Sequence, residues 1–238
     1  VQWAKSPVPF RIPTTCGQEY SLPWIKHDKL ESPVNTSQVV ARMFLEIVLF
    51  RSLWRNTKAE VHDGPKLTYE SSKWLWLFGI LFHYSFLTVV LRHMRLFLDP
   101  VPFFVNWVEF MDSILQIGAP TMYLTDLTLV LGVGLLFGRR LINRQVRYIS
   151  LANDYFPLFL IFGIAASGIL MRFFIRTEVD IVSIKRLAVG LATFQPAILA
   201  DISSIFYIHL FLVSTLLAYF PYSKLMHMGG VFLSPTRN

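Results

Sequence analysis

Thiols are almost absent from this chain, with Cys16 the one cysteine in 238 residues. No internal disulfide is possible, and a thiolate-ligated centre cannot be built from this chain alone, so any iron–sulfur cluster has to sit on a partner. Cys16 itself reads as a free, inert thiol. Charge is scarce too, at 16% of residues against 54% hydrophobic. That balance excludes a disordered chain, argues against an ordinary soluble domain, and points to the membrane class. The net charge of +7 does not favour nucleic acid, because its basic residues flank apolar runs. The chain opens at Val1 with no visible signal peptide, and VQWAKSPVPFR reads like the exit from an upstream helix. One or more further spans are therefore expected ahead of residue 1, and the end at Asn238 likewise reads as a truncation.

What the chain has instead is apolar length and aromatic mass, including 21 Phe. Residues 1–35 carry Pro7, Pro9, Pro13, Pro23 and Pro33, which favour irregular, extended backbone. Phe10, Tyr20, Trp24 and Ile25 are too apolar for a solvated linker. This arm is expected to dock on a partner subunit or, failing that, on the chain's own membrane face. Residues 36–56 show Val40, Phe44, Ile47 and Phe50 at helical steps, interrupted by Arg42, Glu46 and Arg55. The pattern predicts an interfacial amphipathic helix capped by Thr36 or Ser37, not a span. Residues 57–72 then read as a loop turning through Asp63-Gly64-Pro65.

Four spans follow, over residues 74–91, 113–137, 155–174 and 202–221, the second interrupted by Asp126. Gly163, Ala165, Ala166 and Gly168 would let the third approach a neighbour closely. A short surface helix is possible within 175–200. Arg139, Arg140, Arg144 and Arg147 fill one loop, whereas 99–112 carries Glu109 and Asp112 and no basic residue. The basic-residue asymmetry puts the N-terminal arm, the arginine loop and the C-terminus in the cytoplasm.

Ionisable side chains at membrane depth are costly and default to function. Two of the apolar segments carry two histidines each: His83 and His93 on the first span, His209 and His227 on the last. The two spans run antiparallel, which pairs His83 with His227 and His93 with His209. Ten helical residues rise about 15 Å and eighteen about 27 Å, a mean suited to two stacked haems. Their difference requires tilt, or a kink at Pro221. No single non-haem ion could be shared by ligands so far apart. Two-imidazole clamps on two b-type haems are therefore expected, as against histidines merely hydrogen-bonded between helices. Ser85, Ser214 and Tyr219 are available to steady the rings. Arg92, Arg95 and Arg172 would either pair with haem propionates or snorkel to headgroups. Asp126 is read as facing a polar cavity or partner helix rather than as a quinol proton relay. His27 and His62 read as surface residues.

The stretches SPVPFRIPTTCGQ, SLPWIKHDK, DGPKL, RQVRYISLANDYFPLFLI and YFPYSKLMHMGGVFLSPTRN, with the histidine spacing, carry a resemblance. The chain resembles the gamma, membrane cytochrome b subunits of respiratory nitrate reductases. It is still more similar to the DsrM-type dihaem cytochromes of sulfite-reduction-associated Dsr membrane complexes. The resemblance implies that His83, His93, His209 and His227 are the axial ligands of two haem b groups. It also implies menaquinol as electron donor near the outer haem, and a cytoplasmic DsrK-like iron–sulfur subunit resembling heterodisulfide reductase as acceptor. That subunit would act on a DsrC-like sulfur carrier, alongside DsrJ-, DsrO- and DsrP-like subunits, and the flow would reverse in sulfur oxidisers.

The expected fold is an all-α polytopic membrane helical bundle, with four spans here and at least one upstream. Its divisions are a cytoplasmic arm with an interfacial helix over 1–72, a dihaem domain over 73–228, and a cytoplasmic tail over 229–238. The expected location is the inner (plasma) membrane of a prokaryote. Two rivals remain: the cytochrome b anchor of a nitrate reductase, formate dehydrogenase or hydrogenase complex, and a haem-free transporter or scaffold.

Overall fold

The computed structural model describes residues 24, 29–31, 33–62, 64, 66–114, 116–117, 121–174, 181–196 and 202–229. Most of the proline-rich arm, Cys16, His27 and the tail beyond Gly229 lie outside the described residues. Contacts divide the chain into two units, 1–80 with 219–238, and 81–218.

The first unit begins with helix α1, Thr36–Leu49, capped by Asn35 rather than by Thr36 or Ser37. Asn35 Oδ1 accepts the Gln38 N–H at 3.0 Å, and Gln38 Oε1 accepts the Val34 N–H at 3.0 Å. Each side chain thus satisfies a backbone donor near the helix start. The charged residues in α1 point inward: Arg42 and Glu46 are buried, joined at 2.8 Å, while Val40, Phe44 and Ile47 are exposed. Arg42 also donates to the Leu30 carbonyl at 2.6 Å, and Glu31 gathers Arg42, Arg51 and Arg55.

Phe50 ends α1 in the left-handed region, φ 50°, and the four-residue helix α2, Arg51–Trp54, follows. Such a conformation is costly for a bulky residue. It is held here by Glu46, which accepts from both the N–H and the hydroxyl of Ser52, at 3.0 and 2.7 Å.

Residues 57–72 are not a loop. Strand β1, Thr57–His62, pairs antiparallel with β2, Lys66–Ser71, in the register Thr57↔Ser71 to His62↔Lys66. Between the strands Gly64 has φ 78°, a left-handed position suited to glycine. Trp76 donates its indole N–H to the Leu49 carbonyl at 2.8 Å and meets Trp54 edge-on.

Helix α3, Lys73–His93, gives its first turns to this unit and the remainder to the second. The second unit continues through a 3-10 turn, Met94–Leu96, into α4, Phe103–Ile114. Strands β3, Gln116–Ile117, and β4, Met122–Tyr123, form a short antiparallel pair before α5, Leu124–Ile142. The continuous span expected over 113–137 is therefore broken, and the acidic stretch 103–112 is helical. Gly118 and Pro120 fall in the break, and both disfavour helix.

Helix α6, Arg144–Ile149, is capped by Asn143, and α7, Ala152–Ile169, opens into a π turn over Leu170–Phe174. Helix α8, Ile181–Ala192, lies within the 175–200 segment, and α9 spans Ser204–Tyr219. Among the described residues three helices are long and apolar enough to cross a membrane: Lys73–Leu96, Ala152–Phe174 and Ser204–Tyr222. Helix α5 has 19 residues but carries Asp126, Arg139 and Arg140.

The core of the second unit joins Phe82 of α3 to Leu129 and Val133 of α5 and Ile161 of α7, with Leu216 of α9 against them. Gly132 makes this contact close. A Cβ there would lie 3.0–3.2 Å from Phe82 Cα, N and Cβ, and backbone cannot swing aside. Gly132→Ala is therefore expected to destabilise the bundle by about 1–3 kcal/mol, read as a lowered melting temperature in detergent. An unchanged melt would show that α3 and α5 can separate freely.

Candidate functional site

Helices α3 and α9 bring His93 and His209 together. Their ring centres are 6.4 Å apart, with planes inclined by 18°. That is too far for direct stacking contact. Two imidazoles facing each other across a metal, with bonds of roughly 2 Å, put their centres about 6 Å apart, so the separation fits two axial ligands of one iron. The structure thus brings together His93 and His209, the two residues that the antiparallel reading pairs.

The other ring nitrogens are engaged. His93 Nδ1 lies 2.7 Å from the Val89 carbonyl, one turn back on α3. A carbonyl only accepts, so Nδ1 carries the proton, and in the neutral ring Nε2 then keeps its lone pair. His209 Nδ1 lies 2.9 Å from Ser167 Oγ, and Ser167 Oγ lies 3.0 Å from the Ile164 carbonyl. His227 Nδ1 lies 2.8 Å from the Lys224 carbonyl. Imidazoles that ligate metals hold their second nitrogen this way. These residues fit a haem between two imidazoles.

His83 stands on α3 in the second unit, edge-on to Phe82, and His227 belongs to the first unit. The eighteen-residue rise from His209 to His227 does not apply. Helix α9 ends at Tyr219, and Phe220–Tyr222 and Lys224–Gly229 are 3-10 segments with Ser223 between them. From His209 the α-helical run lasts ten residues, to Tyr219.

Ser167 was not among the residues expected to steady the rings. It lies in the AASG stretch of α7, where the sequence signals close helix approach. Gly168 supplies that closeness, since a Cβ there would meet His209 Cε1 at 3.3 Å. Of the residues that were expected, Ser85 instead faces Thr128 at 2.7 Å and Ser214 is exposed.

The arginines are paired with side chains of this chain. Arg92, beside His93, reaches Asp112 of α4 at 2.6 Å and Asp126 of α5 at 3.2 Å. Thr125 closes the cluster, giving its N–H to Asp112 Oδ1 at 3.2 Å and its hydroxyl to Asp112 Oδ2 at 2.5 Å. Arg92 also lies over the Tyr123 ring at 4.0 Å, and Arg172 donates to the Tyr123 hydroxyl at 2.8 Å. Arg95 Nη1 pairs with Glu109, 2.6 Å from each carboxylate oxygen. Asp126 thus faces Arg92 of α3. Asp112, read as a loop residue, is buried, a fact visible only once α4 is seen to be a helix.

Residues 40–236 match the nitrate reductase gamma subunit family. Over its whole length the chain is 44% identical to a protein of Archaeoglobus fulgidus, covering 72% of that protein. It is 40% identical to one of Archaeoglobus profundus, again over the whole chain and 72% of the relative. Both relatives bear the name Hdr-like menaquinol oxidoreductase cytochrome b-like subunit.

Proposed function

The chain belongs to the nitrate reductase gamma subunit family, and from that premise we propose that it is an integral membrane dihaem cytochrome b exchanging electrons with the menaquinone pool. His93 and His209 would hold one haem, and His83 and His227 the other. The observation that carries the reading is the 6.4 Å separation of the His93 and His209 rings, with Nδ1 of each already engaged. Clamped between two imidazoles, each haem b would supply one-electron transfer with no open position for oxygen.

The protein's own part is to hold the rings in one tautomer. Val89, Ser167 and Lys224 do so through their oxygens. Phe82, Leu129, Val133 and Ile161 form the apolar core from which Phe82 meets His83 edge-on. In the finer reading α5 is a fourth span, and the basic arm and arginine loop face the cytoplasm of a prokaryote. The quinone site then lies on the outer half near His93 and His209. The acceptor is a DsrK-like iron–sulfur subunit of a DsrM-type complex in dissimilatory sulfur metabolism, with DsrJ-, DsrO- and DsrP-like partners. The sequence stretches quoted above support this version; the names of the Archaeoglobus proteins support the menaquinol link.

The test is the complex isolated with its native subunits. A b-type reduced-minus-oxidised spectrum is expected, with about two haems per copy of this chain, reducible by a menaquinol analogue. A quinol-analogue inhibitor is expected to shift the spectrum of the haem held by His93 and His209. No b-type absorbance would leave the haem-free transporter or scaffold. A co-purifying molybdenum or hydrogenase subunit would replace the sulfur-linked partner.

A further inference from the structure

His93 and His209 are steadied in different ways. The Nδ1 of His93 bonds a carbonyl of its own helix, four residues back. The Nδ1 of His209 leaves its helix and meets Ser167 of α7. Ser167 is buried, and its hydroxyl has one proton to give. With that proton on the Ile164 carbonyl at 3.0 Å, Oγ is left to accept an Nδ1–H from His209, the tautomer that keeps the lone pair on Nε2. The next residue, Gly168, lets the imidazole lie against the backbone of α7, because any Cβ there would press on Cε1 at 3.3 Å.

We propose that the Ser167–Gly168 pair is a positioning device for His209, with the Ser167 hydroxyl setting the tautomer and donor strength of the ring and the missing Gly168 side chain setting its plane. The proposal rests on the haem reading above. An accepted Nδ1–H bond makes the opposite nitrogen a stronger donor and favours ferric iron. Removing the acceptor therefore weakens the donor and raises the potential of that haem alone.

The experiment compares the wild-type complex with Ser167→Ala, Ser167→Thr and Gly168→Ala by potentiometric titration and low-temperature EPR of the ferric haems. In Ser167→Ala one midpoint is expected to move upward and one low-spin g-maximum to shift, the other haem staying in place. Ser167→Thr, which keeps the hydroxyl, restores both wild-type values. Gly168→Ala moves the same g-maximum with the hydroxyl still present. Wild-type values in Ser167→Ala, equal movement of both haems, or Ser167→Thr behaving like Ser167→Ala would overturn the proposal. Should Ser167→Ala fail to assemble, Gly168→Ala decides: an unmoved g-maximum overturns the proposal and a single moved one supports it. Failure of the haem reading looks different, since the wild-type complex would then show no haem signal at all.

Discussion

Replacing His209 with alanine is expected to lower the haem content from about two to about one per chain and to abolish quinol-dependent reduction of the iron–sulfur partner proposed above. Loss of a residue that only steadies a metal ligand costs roughly 10–100-fold, so loss of the ligand should cost more. His93→Ala should behave alike if the two rings, 6.4 Å apart, share one iron as proposed above. Double substitutions make the pairing itself measurable. His93→Ala with His209→Ala removes both ligands of one haem and leaves the other bound. His93→Ala with His227→Ala strikes both haems and should leave almost none. Equal haem content in the two double variants would refute the assignment of pairs, while full haem content in His209→Ala would refute ligation by that residue. Pigment extraction and protein quantitation suffice, so the result does not depend on activity.

The histidines were legible in the sequence because ionisable residues stand out against uncharged helices. So were the apolar helices Lys73–Leu96, Ala152–Phe174 and Ser204–Tyr222, each a long run with few charges. What escaped was decided by partners distant in sequence. Helix α1 was read as apolar with charged interruptions, yet Arg42 and Glu46 are its buried face, because Glu31 and Ser52 complete a network that a helical wheel cannot show. The hairpin over Thr57–Ser71 has period-two alternation on both arms, but the polar content of TKAEVH and KLTYES resembled a loop. The apolar run 113–137 hid a break, since hydropathy averages over Gly118 and Pro120. Ser167 is small and unremarkable in sequence. Its role depends on α7 and α9 touching at Gly168, which spacing along one chain segment does not reveal.

Arg92→Ala should be the most destabilising change outside the histidines, by about 3–5 kcal/mol. The guanidinium is the cation between Asp112 and Asp126, and the Arg92 and Asp112 side chains are only 8% and 2% exposed. Removing it leaves two carboxylates facing one another away from water. Glu109→Gln offers the contrast: it breaks a pair whose arginine, Arg95, is 37% exposed, and pairs of that kind contribute about 0–1 kcal/mol. Thermal unfolding of both variants in the same detergent checks the ranking, and Arg92→Ala melting no lower than Glu109→Gln would show that water reaches the cluster. Arg92→Lys should not rescue fully, because an ammonium lacks the flat guanidinium face that lies over Tyr123 at 4.0 Å. Replacing all three charged residues by Met and Leu should recover most of the lost stability, since the desolvation cost disappears together with the attraction. That triple variant separates two roles for the cluster: wild-type quinol turnover in a stable triple variant would make it purely a clamp on α3, α4 and α5. Stability regained with turnover lost would instead assign Asp112 or Asp126 a part in handling quinol protons beside His93.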